Sequence, residues 1–264
     1  MSLKEFTSTV LQKSSDKNFV FFFDFDGTVS DIVPTPEEAG LKPITRYVIE
    51  ELGRKYSLGI VSGRRLAELK RLVGIKGIFY SGNHGVEIEG PGLKFIEPNS
   101  AKSSGYITLL GKKIEKALQR YHPRVNSKKY SVSIHYRTVE PGKVKPLLED
   151  LGKIISKPFD DEKIEVFHGK KVVEIKAPVD WDKGKAIQLM LKNLGKVGRQ
   201  QGRVTPIFFG DDTTDEFGFK KVNMMDGISV LVGKKHGKTA ARYWIGSPAE
   251  LVGELAKFLL RTRP

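Results

Sequence analysis

The chain has 264 residues, no cysteine, and 45 Lys and Arg against 31 Asp and Glu, a net charge of +14. The lack of cysteine excludes disulfides and thiolate metal sites, and no run reaches the roughly 18 apolar residues needed to span a bilayer. The basic excess favours an anionic partner: nucleic acid, an acidic surface or a phosphorylated small molecule.

In chain order, the first 18 residues are polar and lack a signal peptide's apolar centre, which predicts a soluble cytoplasmic protein. Phe19 to Phe23 is a continuous apolar run, predicting a strand buried on both faces as in a parallel sheet. Pro43 opens a helical pattern with Ile44, Tyr47, Val48, Glu51 and Leu52 as its stripe. Leu58 to Val61 and Ile78 to Tyr80 read as strands, with a helix over Leu66, Leu69, Leu72 and Val73 between them. After Pro98 the pattern changes: helices are predicted over 105–121 and 143–156. Residues 130–137 (YSVSIHYR) alternate strictly, and 163–176 reads as two strand segments around Gly169. From Asp182 the first style returns: a helix closed by Gly195, the strand TPIFFG, a helix after GDDTTDEF, the strand GISVLVG and a last helix capped by Ser247 and Glu250. Residues 192–203 are expected to form a mobile basic loop. The economical architecture is α/β: a parallel-sheet, Rossmann-like core of residues 1–98 and 179–264, interrupted by an α+β insertion over 99–178.

The chemistry centres on FFFDFDGTV, residues 21–29. If the strand continues, Asp24 and Asp26 are two apart and project together at its C-terminal end, where open α/β sheets bind ligands. Two carboxylates so close call for a cation, and Mg²⁺ suits carboxylate and phosphate oxygens. The alternative is a solvated turn, which the four apolar residues before the pair and Gly27-Thr28 after it disfavour. In residues 130–137, Ser131, Ser133, His135 and Arg137 share one face in line with Lys129, opposite Tyr130, Val132, Ile134 and Tyr136. Lys170 and Glu174 are expected on one face of a strand, about 13 Å apart, a spread that suits the hydroxyls of a disaccharide. Between residues 98 and 178 lie 17 Lys and Arg against 9 Asp and Glu.

FFFDFDGTV resembles the nucleophile motif of the haloacid dehalogenase-like phosphatases, and VSGR, DKGKA and GDDTTDE follow in that family's order. KKYSVSIHYR, GKKVVEIKAPVDWDKGKAIQLMLKNLG, IFFGDDTTDEFGF and GNHGVEI resemble its trehalose-6-phosphate phosphatase branch, over residues 19 to 260. The resemblance implies a cap of the C2B type and Mg²⁺-dependent hydrolysis of trehalose 6-phosphate through an aspartyl-phosphate. Asp24 is then the nucleophile, and Asp26 the acid and base. The metal is held by Asp24, the Asp26 carbonyl and Asp211, with Asp212 and Asp215 either as further ligands or as groups supporting them. Ser62, Gly63 and Lys183 hold phosphate, and Lys129, Arg137, Lys170 and Glu174 contact the sugar. Asn83 and His84 either reach the site or satisfy loop backbone, and Arg64 makes either a structural ion pair or a ligand contact. Asp182 reads as an N-cap, Thr213 and Glu216 have capping-box spacing, and Trp181 reads as packing. Two departures are Asn126, where relatives often carry glutamate, and Ala177, where proline is common. The resemblance further implies a sugar phosphate as partner, a trehalose-phosphate synthase as candidate partner protein, and neither membrane nor specific nucleic acid. Two other readings stand beside it. One is a phosphatase for mannosyl-3-phosphoglycerate, sucrose phosphate or glucosylglycerol phosphate; the other is a polyanion-binding protein on a phosphatase fold.

Overall fold

The computed structural model describes residues 8, 10, 18–33, 35–156, 164–169, 171–196, 204–234 and 237–262. The chain divides into two compact units, residues 1–95 with 181–264, and residues 96–180.

In the first unit, strands β1 (Phe19–Phe23), β2 (Ser57–Val61), β3 (Phe79–Gly82), β4 (Glu87–Gly90) and β5 (Leu93–Ile96) are joined after the second unit by β10 (Thr205–Gly210), β11 (Ile228–Val232) and β12 (Tyr243–Ile245). They form one sheet in the order β12-β11-β10-β1-β2-β3-β4-β5. Pairing is parallel from β12 to β3, and β4 turns back antiparallel. β1 lies between β10 and β2, with Phe21 opposite both Ile207 and Leu58, so both of its edges are paired. Phe19, Phe21 and Phe23 pack into one core with Val48, Ile49 and Leu52 of α1 (Pro43–Lys55) and Leu255 and Phe258 of α7 (Pro248–Arg261). Val20 and Phe22 pack into a second core, with Ile187 and Met190 of α5 (Lys183–Lys196) and Phe219 and Val222 of α6 (Glu216–Met224). An unbroken apolar run is what a strand between two helical layers requires.

Several expectations change here. The buried stripe of α1 is Thr45, Val48, Ile49 and Leu52; Ile44 and Tyr47 are 59% and 56% exposed. The predicted stripe lies about one residue off around the helix, and the sheet selects the Thr45 side. Helix α5 runs through Gly195 to Lys196; the rest of the expected basic loop, 197–203, lies outside the described residues. Ser247 Oγ accepts from Glu250 N–H at 3.2 Å, but the Glu250 carboxylate reaches back to Gly246 N–H, one residue before the cap. The hairpin β4–β5 joins the sheet although its sequence carries no strong apolar period.

The second unit has a four-stranded antiparallel sheet, β6 (Arg124–Ser127), β7 (Ser131–His135), β8 (Glu165–Gly169) and β9 (Val172–Lys176), in the order β6-β7-β9-β8. Helices α3 (Pro98–Leu118) and α4 (Pro141–Ile155) cover one face, where Ile107, Leu110, Ile114, Leu147 and Leu151 meet Val132, Ile134, Val173 and Ile175. The Glu97 side chain caps α3, accepting from Asn99 and Ser100 N–H at 3.1 and 2.6 Å. On the other face Asn126, Ser133, Glu174 and Phe167 form one row across all four strands. The strand bearing Glu174 begins at Val172. Lys170, the other end of the expected Lys170–Glu174 spacing, lies outside the described residues.

Candidate active site

The site gathers where β1, β10 and β2 end, at the C-terminal edge of the parallel sheet. Strand β1 stops at Phe23, so Asp24 and Asp26 belong to a tight turn and not to a continuing strand. The expectation that pleating turns both side chains the same way is corrected accordingly. Asp24 is 5% exposed, and its N–H is tied to the Phe209 carbonyl of β10 at 2.8 Å. Gly27, at φ +82°, lets the turn close: a Cβ there would stand 2.2 Å from Asp211 Oδ2. The buried Thr28 hydroxyl donates to Asp211 Oδ1 at 3.3 Å.

Lys183 enters from the first residue of α5, with Asp182 accepting from Lys185 N–H as the N-cap. The residue is 3% exposed, and its ammonium donates to Asp24 Oδ1 at 2.8 Å and Asp215 Oδ1 at 2.7 Å. The other Asp215 oxygen accepts from Asp211 and Asp212 N–H at 3.0 and 3.1 Å. Asp24, Asp211 and Asp215 each offer a carboxylate oxygen within 4.8 Å of the others. Burial pushes the Asp24 carboxyl well above its ordinary range against the pull of Lys183, and raises Asp215 too. Asp211 is pushed up to about 7, by burial first and then by Asp215 and Asp212. Burial opposes the charge on Lys183, yet Asp24 and Asp215 hold its pKa above the ordinary lysine value. One ammonium cannot neutralise three gathered carboxylates. A hard divalent cation matches both the remaining charge and the all-oxygen donor set. Asp215 has both oxygens engaged, so Asp24 and Asp211 are the better placed to take such an ion.

Asp26 is not part of this trio. Arg64 forks onto it, Nε to Oδ2 and Nη2 to Oδ1, each at 2.7 Å. Glu68, one turn along on α2 (Leu66–Val73), grips the Arg64 Nη1, and the guanidinium lies 5.4 Å from the centre of the Phe25 ring. Of the two sequence readings of Arg64, the ion pair is the one observed, and its partner is the second aspartate of the motif. Glu68 escapes sequence reasoning. Its spacing of four from Arg64 is the one available sign.

Ser62 is buried at the end of β2, and its Oγ accepts from Arg64 N–H at 3.2 Å, which leaves the hydroxyl proton to donate elsewhere. Asp212 is exposed and caps the turn at 213–215 by accepting from Thr214 N–H, with Asp215 completing the capping box. That overturns the Thr213–Glu216 pairing: Glu216 instead accepts from Thr239 Oγ1 and Ala240 N–H at 2.6 and 2.7 Å. Asn83 donates to Glu87 at 2.8 Å, and the His84 ring lies against Gly63. In the second unit, Lys129 lies 5.0 Å from the Tyr130 ring centre, Arg137 follows β7 by two residues, and Glu174 pairs in register with Ser133. Trp181 donates to the Gly85 carbonyl at 2.7 Å and packs on Phe95.

The parallel sheet whose first strand delivers a buried aspartate to a lysine and two further aspartates has a haloacid dehalogenase-like fold. In keeping with this, a haloacid dehalogenase-like hydrolase from Bacteroides thetaiotaomicron superposes with a TM-score of 0.58 at 17% identity, over 91% of this chain and 99% of that one. More specifically, residues 22–245 match the family model described as trehalose-phosphatase, and the chain belongs to that family. It is 32% identical over 260 residues to probable trehalose-phosphate phosphatase 4 of Oryza sativa subsp. japonica, covering 96% of this chain and 68% of that protein. It is likewise 32% identical to trehalose 6-phosphate phosphatase RA3 of Zea mays, covering 94% and 72%. The C-terminal domain of C. albicans trehalose-6-phosphate phosphatase shares the fold, with a TM-score of 0.73 at 21% identity over 97% of this chain and 98% of that one.

Proposed function

We propose that the chain hydrolyses trehalose 6-phosphate to trehalose and phosphate, with the first unit as catalytic core and the second as a specificity cap. The buried Asp24–Lys183–Asp215 ion network beside Asp211 is the observation that carries this reading. Asp24 attacks phosphorus and the bond to the sugar O6 breaks, leaving an aspartyl-phosphate; water then cleaves that acyl phosphate and regenerates Asp24. Asp26 protonates the departing oxygen and later takes a proton from the water. Both Asp26 oxygens are engaged by Arg64, so this role requires the fork to open at one of them. Lys183 orients the Asp24 carboxylate and supplies positive charge to the phosphoryl group, while the Ser62 hydroxyl and Gly63 N–H donate to its oxygens. Mg²⁺ is the proposed ion, held by Asp24, Asp211 and the Asp26 carbonyl. When bound, it offsets carboxylate repulsion and withdraws charge from phosphate oxygens.

For the sugar we propose Lys129, Arg137, Lys170 and Glu174. Support comes from the Asn126–Ser133–Glu174 row on the sheet face that α3 and α4 leave uncovered. The test is phosphate release with Mg²⁺ from trehalose 6-phosphate, sucrose phosphate, mannosyl-3-phosphoglycerate and glucosylglycerol phosphate. Trehalose 6-phosphate is expected to be preferred, with turnover reduced at least about a thousandfold in Asp24→Asn. Preference for another ester would overturn the substrate, and undiminished turnover in Asp24→Asn would overturn the mechanism.

A further inference from the structure

Between the end of β3 and the start of β4 the backbone is left-handed three times in succession: Asn83 at φ 50°, His84 at φ 57° and Gly85 at φ 106°. Glycine enters this region most easily; Asn and His are among the few other residues that do so, at a cost of up to about 1–3 kcal/mol each that the surroundings must offset. Here they are held from both sides. Asn83 N–H donates to the Arg64 carbonyl at 2.7 Å, and His84 N–H donates to the Ser62 carbonyl at 3.0 Å. The Asn83 amide is anchored on Glu87, and the Gly85 carbonyl accepts from Trp181. On the far side, a Cβ at Gly85 would stand 2.9 Å from the Asp182 carbonyl and 3.0 Å from Ala186. The turn therefore fills the space between the Ser62–Arg64 loop and the first turn of α5, which carries Lys183. The imidazole itself occupies the place a side chain at Gly63 would need: its Cε1 and Nε2 lie 2.5 and 2.6 Å from the Cβ position there.

We infer that His84 is a positioning residue for phosphate: its ring buttresses the Gly63 backbone and fixes the Ser62–Gly63 donors relative to Lys183. Glycine would hold φ 57° with less strain than histidine, so the turn alone does not call for the ring that packs against Gly63. Strain retained next to phosphate-facing groups is what a positioning role demands. The inference rests on the proposed phosphate role of Ser62, Gly63 and Lys183, and not on the identity of the sugar.

The experiment compares the full chain with His84→Gly, which removes ring and strain, and His84→Asn, which tolerates the left-handed region without the ring. Thermal unfolding, Mg²⁺-supported binding of inorganic phosphate by calorimetry, and hydrolysis of p-nitrophenyl phosphate are read for each. The expected result is a Tm equal to or above that of the parent in His84→Gly, with phosphate affinity weakened roughly tenfold or more in both variants. KM for p-nitrophenyl phosphate should rise with it, by more than kcat falls. Phosphate affinity within twofold of the parent in both variants would overturn the inference, whatever happens to Tm. Phosphate binding is read directly, so the role of His84 is decided even if no sugar phosphate is turned over; that separate failure would count against the proposed function instead.

Discussion

Asp215 has more riding on it than any other carboxylate of the site. It is fully buried, accepts from Lys183 and closes the Asp211–Asp212 backbone through its second oxygen. Asp215→Ala leaves two N–H groups and half of an ammonium's partners unsatisfied. Denaturant unfolding should show a loss of about 3–5 kcal/mol, whereas Asp212→Ala, which removes an exposed cap, should cost about 1 kcal/mol. Asp211 makes a second prediction. Its folded pKa of about 7 lies above the ordinary carboxylate value. The folded, metal-free protein therefore keeps a proton that the unfolded chain has already released. The stability this group contributes is fully present below about pH 4 and is lost as pH rises through about 7. In chelator-treated protein, its contribution to Tm should fall away across that window. Mg²⁺ should raise Tm more at pH 8 than at pH 5, and an equal shift at both would sink the account. Asp24, Lys183 and Asp211, which the fold brings together, are legible as a group because each sits in a short stretch that stands out in the sequence. The Asp26–Arg64 fork is not, since its partners are 38 residues apart and only the fold brings β1 and β2 side by side.

Elements are legible where their pattern reports one environment. The five apolar residues of β1 demand cover on both faces, and they receive it from two helical layers. Helix α1 misleads because Ile44 and Tyr47 are apolar yet exposed, while a threonine faces the sheet. The β4–β5 hairpin stays hidden because its strands carry charged residues on an otherwise apolar sheet. Phe258 ties α7 to β1, with its ring centre 5.8, 5.6 and 5.7 Å from those of Phe19, Phe21 and Tyr56. Phe258→Ala should therefore cost about 3–5 kcal/mol by chemical denaturation, and a loss below about 1 kcal/mol would mean that this end of the sheet is looser than its packing implies. Tyr80 pins the loop before β3, donating to the Ile75 carbonyl at 2.6 Å and accepting from Ile75 N–H at 3.0 Å. Burial pushes its hydroxyl up to about 12. Tyr80→Phe should cost about 1–3 kcal/mol, and the difference ultraviolet titration of parent and variant should place the missing tyrosine's ionisation near that pH.

At the scale of the whole molecule, the +14 charge and the acidic centre of the first unit oppose each other. The carboxylate trio repels a phosphate ester at close range, while the basic excess, much of it between residues 98 and 178, attracts it from a distance. Attraction between solvent-exposed charges decays over a Debye length of about 8 Å at physiological ionic strength, whereas the buried Asp24–Lys183 pair is screened far less. Salt should therefore act on capture and not on the chemical step. Raising the ionic strength from about 0.02 to 0.5 M at constant Mg²⁺ should raise KM for a sugar phosphate severalfold and leave kcat within about twofold. The same titration separates the enzyme from a polyanion binder. Non-specific RNA binding by the basic surface should fade steeply with salt, while turnover at saturating substrate persists. If kcat collapsed as KM rose, the long-range charge would have to be part of the catalytic machinery, and confining the chemistry to the buried network would be wrong.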